Sequence, residues 1–364
     1  MKNLRLLDQP ADFERFNLNP NQVELWEDGR RNTAKKGAWE WWYFDALLDD
    51  GSQLVIQFFP KAPRNPQVAD LPMYHYTLTL PDGRILDKKP EYATNTSFSK
   101  ERCDVHYGQS KFVGDFKDYD IVADSTDTDD GFGANIHLHS LSKPYRPATG
   151  IWETEDQDEY TWFCAVPRGT VEGTVTYDGE THQVTGTGYH DHQWGSISYA
   201  YLWNHWTWAR QNFADYSLLV FDMTAAKSFG YKRYPICFLQ DGQGNVVFES
   251  RSMADYQVLK SQLDVETGKN YPVEQAYVFK AGENTLSYDL VQRQLIENQT
   301  MTKLMPKPMQ QVLKLKGINM TYQRYVAEGT MSLKRPGNPD IVRADHLIYE
   351  FMYPGATNFD EAHA

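Results

Sequence analysis

The chain of 364 residues is long enough for two domains, and its 41% hydrophobic and 23% charged residues are typical of a folded globular protein. Its formal net charge of -13 excludes the basic surface that binding to nucleic acid or to an anionic membrane requires. We therefore expect a small, hydrophobic partner molecule, while the composition leaves the oligomeric state open.

The cysteines and the N-terminal residues indicate a compartment. Cys103, Cys164 and Cys237 are odd in number and widely spaced, which predicts neither a disulfide framework nor a zinc site. The first residues carry no apolar stretch of the signal-peptide type, and no later run approaches the ~18 apolar residues of a membrane span. We expect a cytoplasmic protein without stable membrane insertion.

In chain order, residues 1–36 are polar and irregular, and we predict an arm with one short helix near Pro10. After residue 36, short runs rich in β-branched and aromatic residues alternate with turn signals such as Pro81-Asp82-Gly83 and Asp178-Gly179. Ser252–Leu263 and Met301–Lys316 are predicted as helices, the second one interrupted by prolines. The predicted strands cover 38–48, 53–59, 73–80, 107–116, 134–140, 160–166, 171–177, 202–209, 216–223, 234–239, 246–249, 275–279, 285–290, 322–333 and 346–352.

Many short strands without alternating helices predict an all-β fold of antiparallel barrels or sandwiches. The strands fall into two consecutive sets, each long enough for a small barrel. We therefore predict two β domains, residues 1–195 and 196–364.

Several common catalytic motifs are absent from the sequence. It contains no Walker loop, no dinucleotide-binding glycine fingerprint, no nucleophile elbow and no His-Glu-x-x-His helix. The usual markers of nucleotide, nicotinamide, serine-hydrolase and zinc-protease chemistry are therefore missing, and we predict no cofactor.

The most informative segment, residues 188–195, reads Gly-Tyr-His-Asp-His-Gln-Trp-Gly. In an extended segment, alternation places His190, His192 and Trp194 on one face and Asp191 and Gln193 on the other. Two imidazoles on one face could bind a metal ion, but no acid follows nearby in register. The sequence therefore predicts acid-base groups at this position and no metal site.

A second aromatic segment, residues 39–45, reads Trp-Glu-Trp-Trp-Tyr-Phe-Asp, and alternation puts Glu40, Trp42 and Phe44 on one side. Glu40 is either exposed beside aromatic rings or buried with a partner such as Arg210 or a histidine. We expect the tryptophan-rich windows 39–42 and 194–208 to meet in space.

In the predicted strand 216–222, Asp222 is in phase with Tyr216 and Leu218. If that face lines the interior of a barrel, Asp222 points inward at its rim and holds its proton more tightly than a free aspartate. The candidate catalytic residues are therefore His190, Asp191, His192 and Asp222. The candidate substrate-binding residues are Glu40, Trp41, Trp42, Tyr43, Trp194, His205, Trp206, Trp208, Arg210 and Tyr216.

Glu40-Trp41-Trp42-Tyr43 followed by the motif at 188–195 resembles the signature of the carotenoid 1,2-hydratase (hydroxyneurosporene synthase) and AttH-like family. The resemblance implies two lipocalin-like β domains in tandem and extends to fungal Diels-Alderases and a phytoalexin hydratase. It implies that His192 and Trp194 match the essential histidine and tryptophan of the hydratase members. Their downstream acid falls at Asp222, whereas the tyrosine two residues before it is replaced by Val220.

These observations predict a hydratase that adds water to a carbon-carbon double bond of an isoprenoid-like or polyketide-like molecule. In this mechanism Asp222 protonates the alkene, His192 orients the acid or relays the proton, and Trp42, Trp194 and Trp206 stabilise the carbocation. A cyclase or isomerase acting on a similar substrate and a non-catalytic lipocalin-like carrier are the alternatives. We favour an enzyme over a carrier because acids and imidazoles cluster among the aromatic rings.

Overall fold

The computed structural model describes residues 2–31, 36–61, 70–92, 94–127, 131–251, 254–265, 267–304, 307–315 and 319–355. Residue contacts divide the chain into two compact units. The N-terminal unit is Leu4–Ser198, and the C-terminal unit combines Met1–Asn3 with Tyr199–Ala364. The predicted boundary between residues 195 and 196 lies three residues before this division.

Both units are curled antiparallel sheets of the half-barrel type, as the all-β prediction required. The strands of the N-terminal unit pair in the order β5-β4-β3-β2-β13-β12-β10-β9-β8-β7-β6, and β1 and β11 form a side pair against β12. Its strands are β1 (Leu4–Leu6), β2 (Trp39–Leu48), β3 (Gln53–Lys61), β4 (Met73–Thr79), β5 (Ile85–Lys88), β6 (Thr96–Phe98), β7 (Asp104–Tyr107), β8 (Ser110–Gly114), β9 (Asp118–Ala123), β10 (Gly133–Ser140), β11 (Ile151–Thr154), β12 (Glu159–Tyr177) and β13 (Glu180–Gly195).

The C-terminal unit is a sheet of nine strands in the order β17-β16-β15-β14-β22-β21-β20-β19-β18. The strands are β14 (Trp203–Asn212), β15 (Tyr216–Ala225), β16 (Arg233–Asp241), β17 (Val246–Ser250), β18 (Asp255–Asp264), β19 (Lys269–Ala281), β20 (Asn284–Thr300), β21 (Thr321–Lys334) and β22 (Ile341–Tyr353).

Helices are few and short in the described parts of both units. The α-helices are α1 (Pro10–Arg15), α2 (Tyr199–Leu202) and α3 (Lys307–Leu315). Single 3-10 turns occupy Leu25–Asp28, Ser125–Asp127, Lys227–Phe229 and Met301–Leu304. None of these helices is long and apolar enough to cross a membrane.

The turn between β12 and β13 sets the register of the central hairpin. Asp178 and Gly179 both have positive φ angles, 53° and 79°, which is the conformation of a tight two-residue hairpin turn. The turn pairs Tyr177 with Glu180, and the ladder continues to Tyr160 opposite Gly195. The Asp-Gly signal seen in the sequence therefore fixes which face each residue of β13 presents.

The structure corrects one predicted helix and confirms another. Residues 255–264 form β18, an edge strand, instead of the helix predicted over Ser252–Leu263. Leu259 and Leu263 have the four-residue spacing of a helix face, but both are exposed on this strand. The helix predicted over Met301–Lys316 is present as a 3-10 turn and α3, in which Val312 and Leu315 are exposed.

Candidate active site

Four ionisable side chains meet in the core of the N-terminal unit, and we call them the histidine-carboxylate cluster: Asp28, Glu40, His190 and His192. Each of the four is 0% exposed. Buried charged or titratable groups are rare unless they are paired, so a group of four marks a specialised place in the sheet.

Strand pairing brings the two sequence motifs together. β13 pairs with β2 so that His190 lies opposite Phe44 and His192 lies opposite Trp42. The predicted alternation is confirmed, because Trp42 and Phe44 join the core on the face that carries both imidazoles. At the end of the motif, Gly195 leaves room for Trp39, since a Cβ there would lie 2.8 Å from the indole.

Asp28 reaches the cluster from a segment that is distant in sequence. It ends the 3-10 turn Leu25–Asp28, and its carbonyl accepts a hydrogen bond of 2.9 Å from Trp42 Nε1. The next residue, Gly29, passes so close to the chain that a Cβ would lie 2.4 Å from the carbonyl of Lys100. This close passage brings Asp28 beside the segment that leads to Cys103.

The hydrogen bonds of His190 define its protonation. Nδ1 lies 2.8 Å from the carbonyl oxygen of Tyr43, which can only accept, so Nδ1 carries a hydrogen. Nε2 lies 3.1 Å from Asp28 Oδ2, which also accepts a 2.7 Å hydrogen bond from the Tyr119 hydroxyl. In the neutral imidazole Nε2 would present a lone pair to a carboxylate. The contact therefore requires either a second proton or a cation.

His192 lies between the two carboxylates. Its Nε2 is 3.0 Å from Glu40 Oε1, which also accepts a 2.7 Å hydrogen bond from the backbone N–H of Arg31. Its Nδ1 faces Asp28 Oδ1 at 3.4 Å, and both atoms are buried without a hydrogen-bond partner. Of the two environments that the sequence left open for Glu40, the structure has the buried one, with a histidine as partner.

Aromatic rings enclose His192. Trp42 stacks on it with ring centroids 4.6 Å apart and an angle of 20°, and Phe163 contacts it edge-on. The Trp194 ring centroid is 4.8 Å from that of His192, and Trp194 is half-buried. Only the indole of Trp194 would therefore separate the His192 imidazole from a molecule that contacts the exposed part of Trp194.

Within the described residues, one group of three side chains has the ligand types and spacing of a metal site: Asp28, Cys103 and His190. One ligand atom from each lies within 4.8 Å of the other two. Cys103 Sγ is 3.4 Å from the carbonyl oxygen of Phe112, and burial raises the pKa of this thiol well above its usual range. These three residues could hold a metal ion.

Asp191 lies on the opposite face of β13 and has a separate environment. Its Oδ2 accepts hydrogen bonds from the Tyr189 hydroxyl at 2.8 Å and from Trp162 Nε1 at 3.0 Å. Burial raises the pKa of Asp191 to about 7, and these donors, together with Gln193, oppose that rise. Asp191 is thus a buried acid outside the histidine-carboxylate cluster.

Asp222 belongs to the C-terminal unit and is paired with an arginine. Arg233 Nη2 donates a 2.5 Å hydrogen bond to Asp222 Oδ2, and the Arg233 guanidinium stacks on the ring of Tyr256. Asp222 is 5% exposed, and Leu218 and Val220, which are in phase with it, belong to the core of the C-terminal unit. The sequence analysis did not predict this arginine partner, and the role of Asp222 as proton donor stays a prediction.

The other predicted binding residues separate into two groups. Trp41 stacks on Trp39, and Tyr43 contacts Tyr189, both on the face of β2 that points away from the cluster. The remaining ones lie on strands of the C-terminal unit: His205, Trp206, Trp208, Arg210 and Tyr216. The predicted meeting of the tryptophan windows thus holds for residues 39–42 and Trp194, which lie on paired strands.

Sequence reasoning missed Asp28, Cys103 and Tyr119. Asp28 lies in a segment that we predicted as an irregular arm. A signal was present there, because Leu-Trp-Glu-Asp at 25–28 places two acids directly after two large apolar residues. Cys103 and Tyr119 carry no comparable local signal, since each reaches the cluster only through the folding of the sheet.

The fold and the cluster together define a class of protein, the tandem lipocalin-like β proteins with a buried histidine motif. The family model of the AttH-like proteins matches residues 29–307. The chain therefore belongs to the AttH-like family, as the resemblance in the two motifs indicated. Among curated proteins, none matches this sequence.

Solved structures share the fold over nearly the whole chain. A Nitrosomonas europaea protein described as AttH has a TM-score of 0.59 at 18% identity, and the match covers 93% of this chain and 99% of that one. CghA with Sch210972 has a TM-score of 0.61 at 14% identity, covering 97% and 99%. Kievitone hydratase from Nectria haematococca has a TM-score of 0.55 at 12% identity, covering 94% and 95%. At these identities the likeness establishes the fold alone.

Proposed function

We propose that this chain is a hydratase, which adds water to a carbon-carbon double bond of a hydrophobic, isoprenoid-like or polyketide-like molecule by acid-base chemistry. The observation that carries the proposal is the buried pair of His192 and Glu40, 3.0 Å apart, beside the half-buried indole of Trp194. The fold shared with kievitone hydratase is consistent with this class of reaction.

A purely structural role accounts poorly for this arrangement. Buried ion pairs are often no more stabilising than apolar residues of the same volume, because both groups lose their hydration. Here Asp28 Oδ1 and His192 Nδ1 also lack hydrogen-bond partners, and each such atom costs roughly 1–3 kcal/mol. Polar groups that weaken the core have a clear use if they take part in a reaction.

The chemistry of hydration matches the groups present. An alkene carbon takes up a proton to form a C–H bond, the adjacent carbon becomes a carbocation, and water adds to it and releases a proton. An imidazole such as His192 can give and take protons near neutral pH, while Glu40 holds it in place. The indole of Trp194, which is half-buried, can stabilise a nearby cation by ~2 kcal/mol. No electrons are transferred, so the reaction needs no redox partner.

The test is incubation of the purified protein with polyene isoprenoids and polyketides in ¹⁸O-labelled water, followed by mass spectrometry. Hydration adds one labelled water to the product, cyclisation leaves the mass unchanged, and a carrier returns its ligand unaltered. We expect His192→Gln to lower product formation by about 10²-fold or more while binding persists. Trp194→Leu should lower it by about 30-fold, because the variant loses ~2 kcal/mol of cation stabilisation.

His182→Gln is the matched control, because His182 lies on the same strand and stacks on Tyr177, outside the cluster. It should retain full activity. Equal product from the His192 and His182 variants, or ligand recovered only unchanged, would contradict the proposal.

A further inference from the structure

The contact between His190 and Asp28 poses a question that the proposed function does not answer. In the neutral imidazole, Nδ1 carries the hydrogen bonded to the Tyr43 carbonyl, and Nε2 presents its lone pair to a carboxylate oxygen 3.1 Å away. Two lone pairs at this distance repel each other in a medium of low dielectric constant. A positive charge between them removes the repulsion.

Asp28, Cys103 and His190 form the group with metal-site spacing, and Cys103 indicates that the positive charge is a metal ion. A carboxylate, an imidazole and a thiolate are the ligand types of zinc sites, and they reach this point from three separate elements. Ligand atoms around a tetrahedral zinc ion are roughly 3.3–3.8 Å apart, given bond lengths of about 2.0–2.3 Å. The three atoms here lie within 4.8 Å of one another, so small side-chain movements bring them to that geometry.

Surrounding contacts match those of a bound metal. Ligating histidines commonly donate their other ring nitrogen to a carbonyl, as His190 does to Tyr43, and ligating carboxylates accept further hydrogen bonds, as Asp28 does from Tyr119. The rings of Phe112 and Tyr119 contact the His190 imidazole edge-on and form an apolar shell around it. Asp28 Oδ1 is buried without a hydrogen-bond partner, so the second oxygen of the same carboxylate is also available to the ion.

We propose that Asp28, Cys103 and His190 bind a divalent transition-metal ion of the zinc class in the core of the N-terminal unit. The charges of one carboxylate and one thiolate balance the two positive charges of the ion, so the buried site is neutral. All three ligands are 0% exposed, so the ion would be shielded from bulk water. The ion would tie the segment of Asp28 and that of Cys103 to β13, and metal binding would then stabilise the fold.

The test is a titration of the chelator-treated, reduced full chain with Co²⁺, which reports a thiolate ligand through charge-transfer absorption. We expect saturation at one equivalent in the wild type and loss of the band in Cys103→Ser. Cys164→Ser is the matched control, because Cys164 is equally buried in the same unit but lies outside the group, and it should keep the band. Tyr119→Phe should weaken binding by about tenfold or more, because it removes the hydrogen bond to the Asp28 carboxylate.

X-ray absorption at the zinc edge of the loaded wild type needs no variant, so it is decisive even if Cys103→Ser does not fold. One sulfur scatterer with nitrogen and oxygen ligands supports the site. Absence of the cobalt band in the wild type, or its persistence in Cys103→Ser, overturns the proposal and leaves a proton between His190 and Asp28. Neither measurement uses a substrate, so the result is independent of the hydratase proposal.

Discussion

Each unit buries an aspartate, but the partner is histidine in the N-terminal unit and arginine in the C-terminal unit. In the N-terminal unit Asp28 faces the imidazoles of His190 and His192. In the C-terminal unit Asp222 faces Arg233, whose guanidinium keeps its charge at every physiological pH. As a residue type, an imidazole can exchange a proton near neutral pH, whereas a guanidinium cannot. Burial of an acid alone therefore does not identify a proton donor.

Asp28→Ala should have the largest effect on stability. It leaves the hydroxyl of Tyr119 and Nε2 of His190 buried without their partner, and loss of one member of a buried pair costs about 3–5 kcal/mol. Hydrogen exchange followed by mass spectrometry on peptides from β13 and β15 would assign the loss to one unit. The chelator-treated protein is used, so that loss of a metal ion does not contribute.

Protection in the β13 peptide should fall and that in the β15 peptide should not. Asp8→Ala, which removes an exposed acid of the same N-terminal segment, should change stability by no more than about 0.5 kcal/mol. An Asp28 variant as stable as the Asp8 variant would show that the cluster does not hold the core together.

Asp222→Ala should have a smaller effect, confined to the C-terminal unit. It leaves Arg233 without its carboxylate, but the Arg233 side chain is 19% exposed and can still reach water. We expect a loss of about 1–3 kcal/mol, seen as reduced protection in the β15 peptide. If Asp222 is the proton donor after all, the isosteric Asp222→Asn variant will lose product in the ¹⁸O assay while Arg233→Lys keeps it.

The sequence was most informative where local rules decide the structure. Alternation along residues 188–195 placed both imidazoles on one face correctly, because β13 pairs with β2 from Gly186 to Gly195 without a register shift. Alternation could not place Asp28 and Cys103, because their positions depend on two irregular segments that pass close to each other at Gly29. It also failed for the partner of Asp222, because an arginine on the neighbouring strand leaves no periodic signal.

Asp191→Asn should show its effect mainly as a change in the pH dependence of stability. Burial raises the pKa of Asp191 from 3.8 to about 7, so between about pH 4 and pH 7 the folded chain binds more protons here than the unfolded chain. The contribution of this acid to the free energy of unfolding is therefore complete below pH 4 and declines as the pH rises through 7. The difference in urea midpoint between wild type and variant should fall over the same range. A difference that rises with pH would mean that the hydrogen bonds from Tyr189 and Trp162 outweigh burial and keep Asp191 ionised.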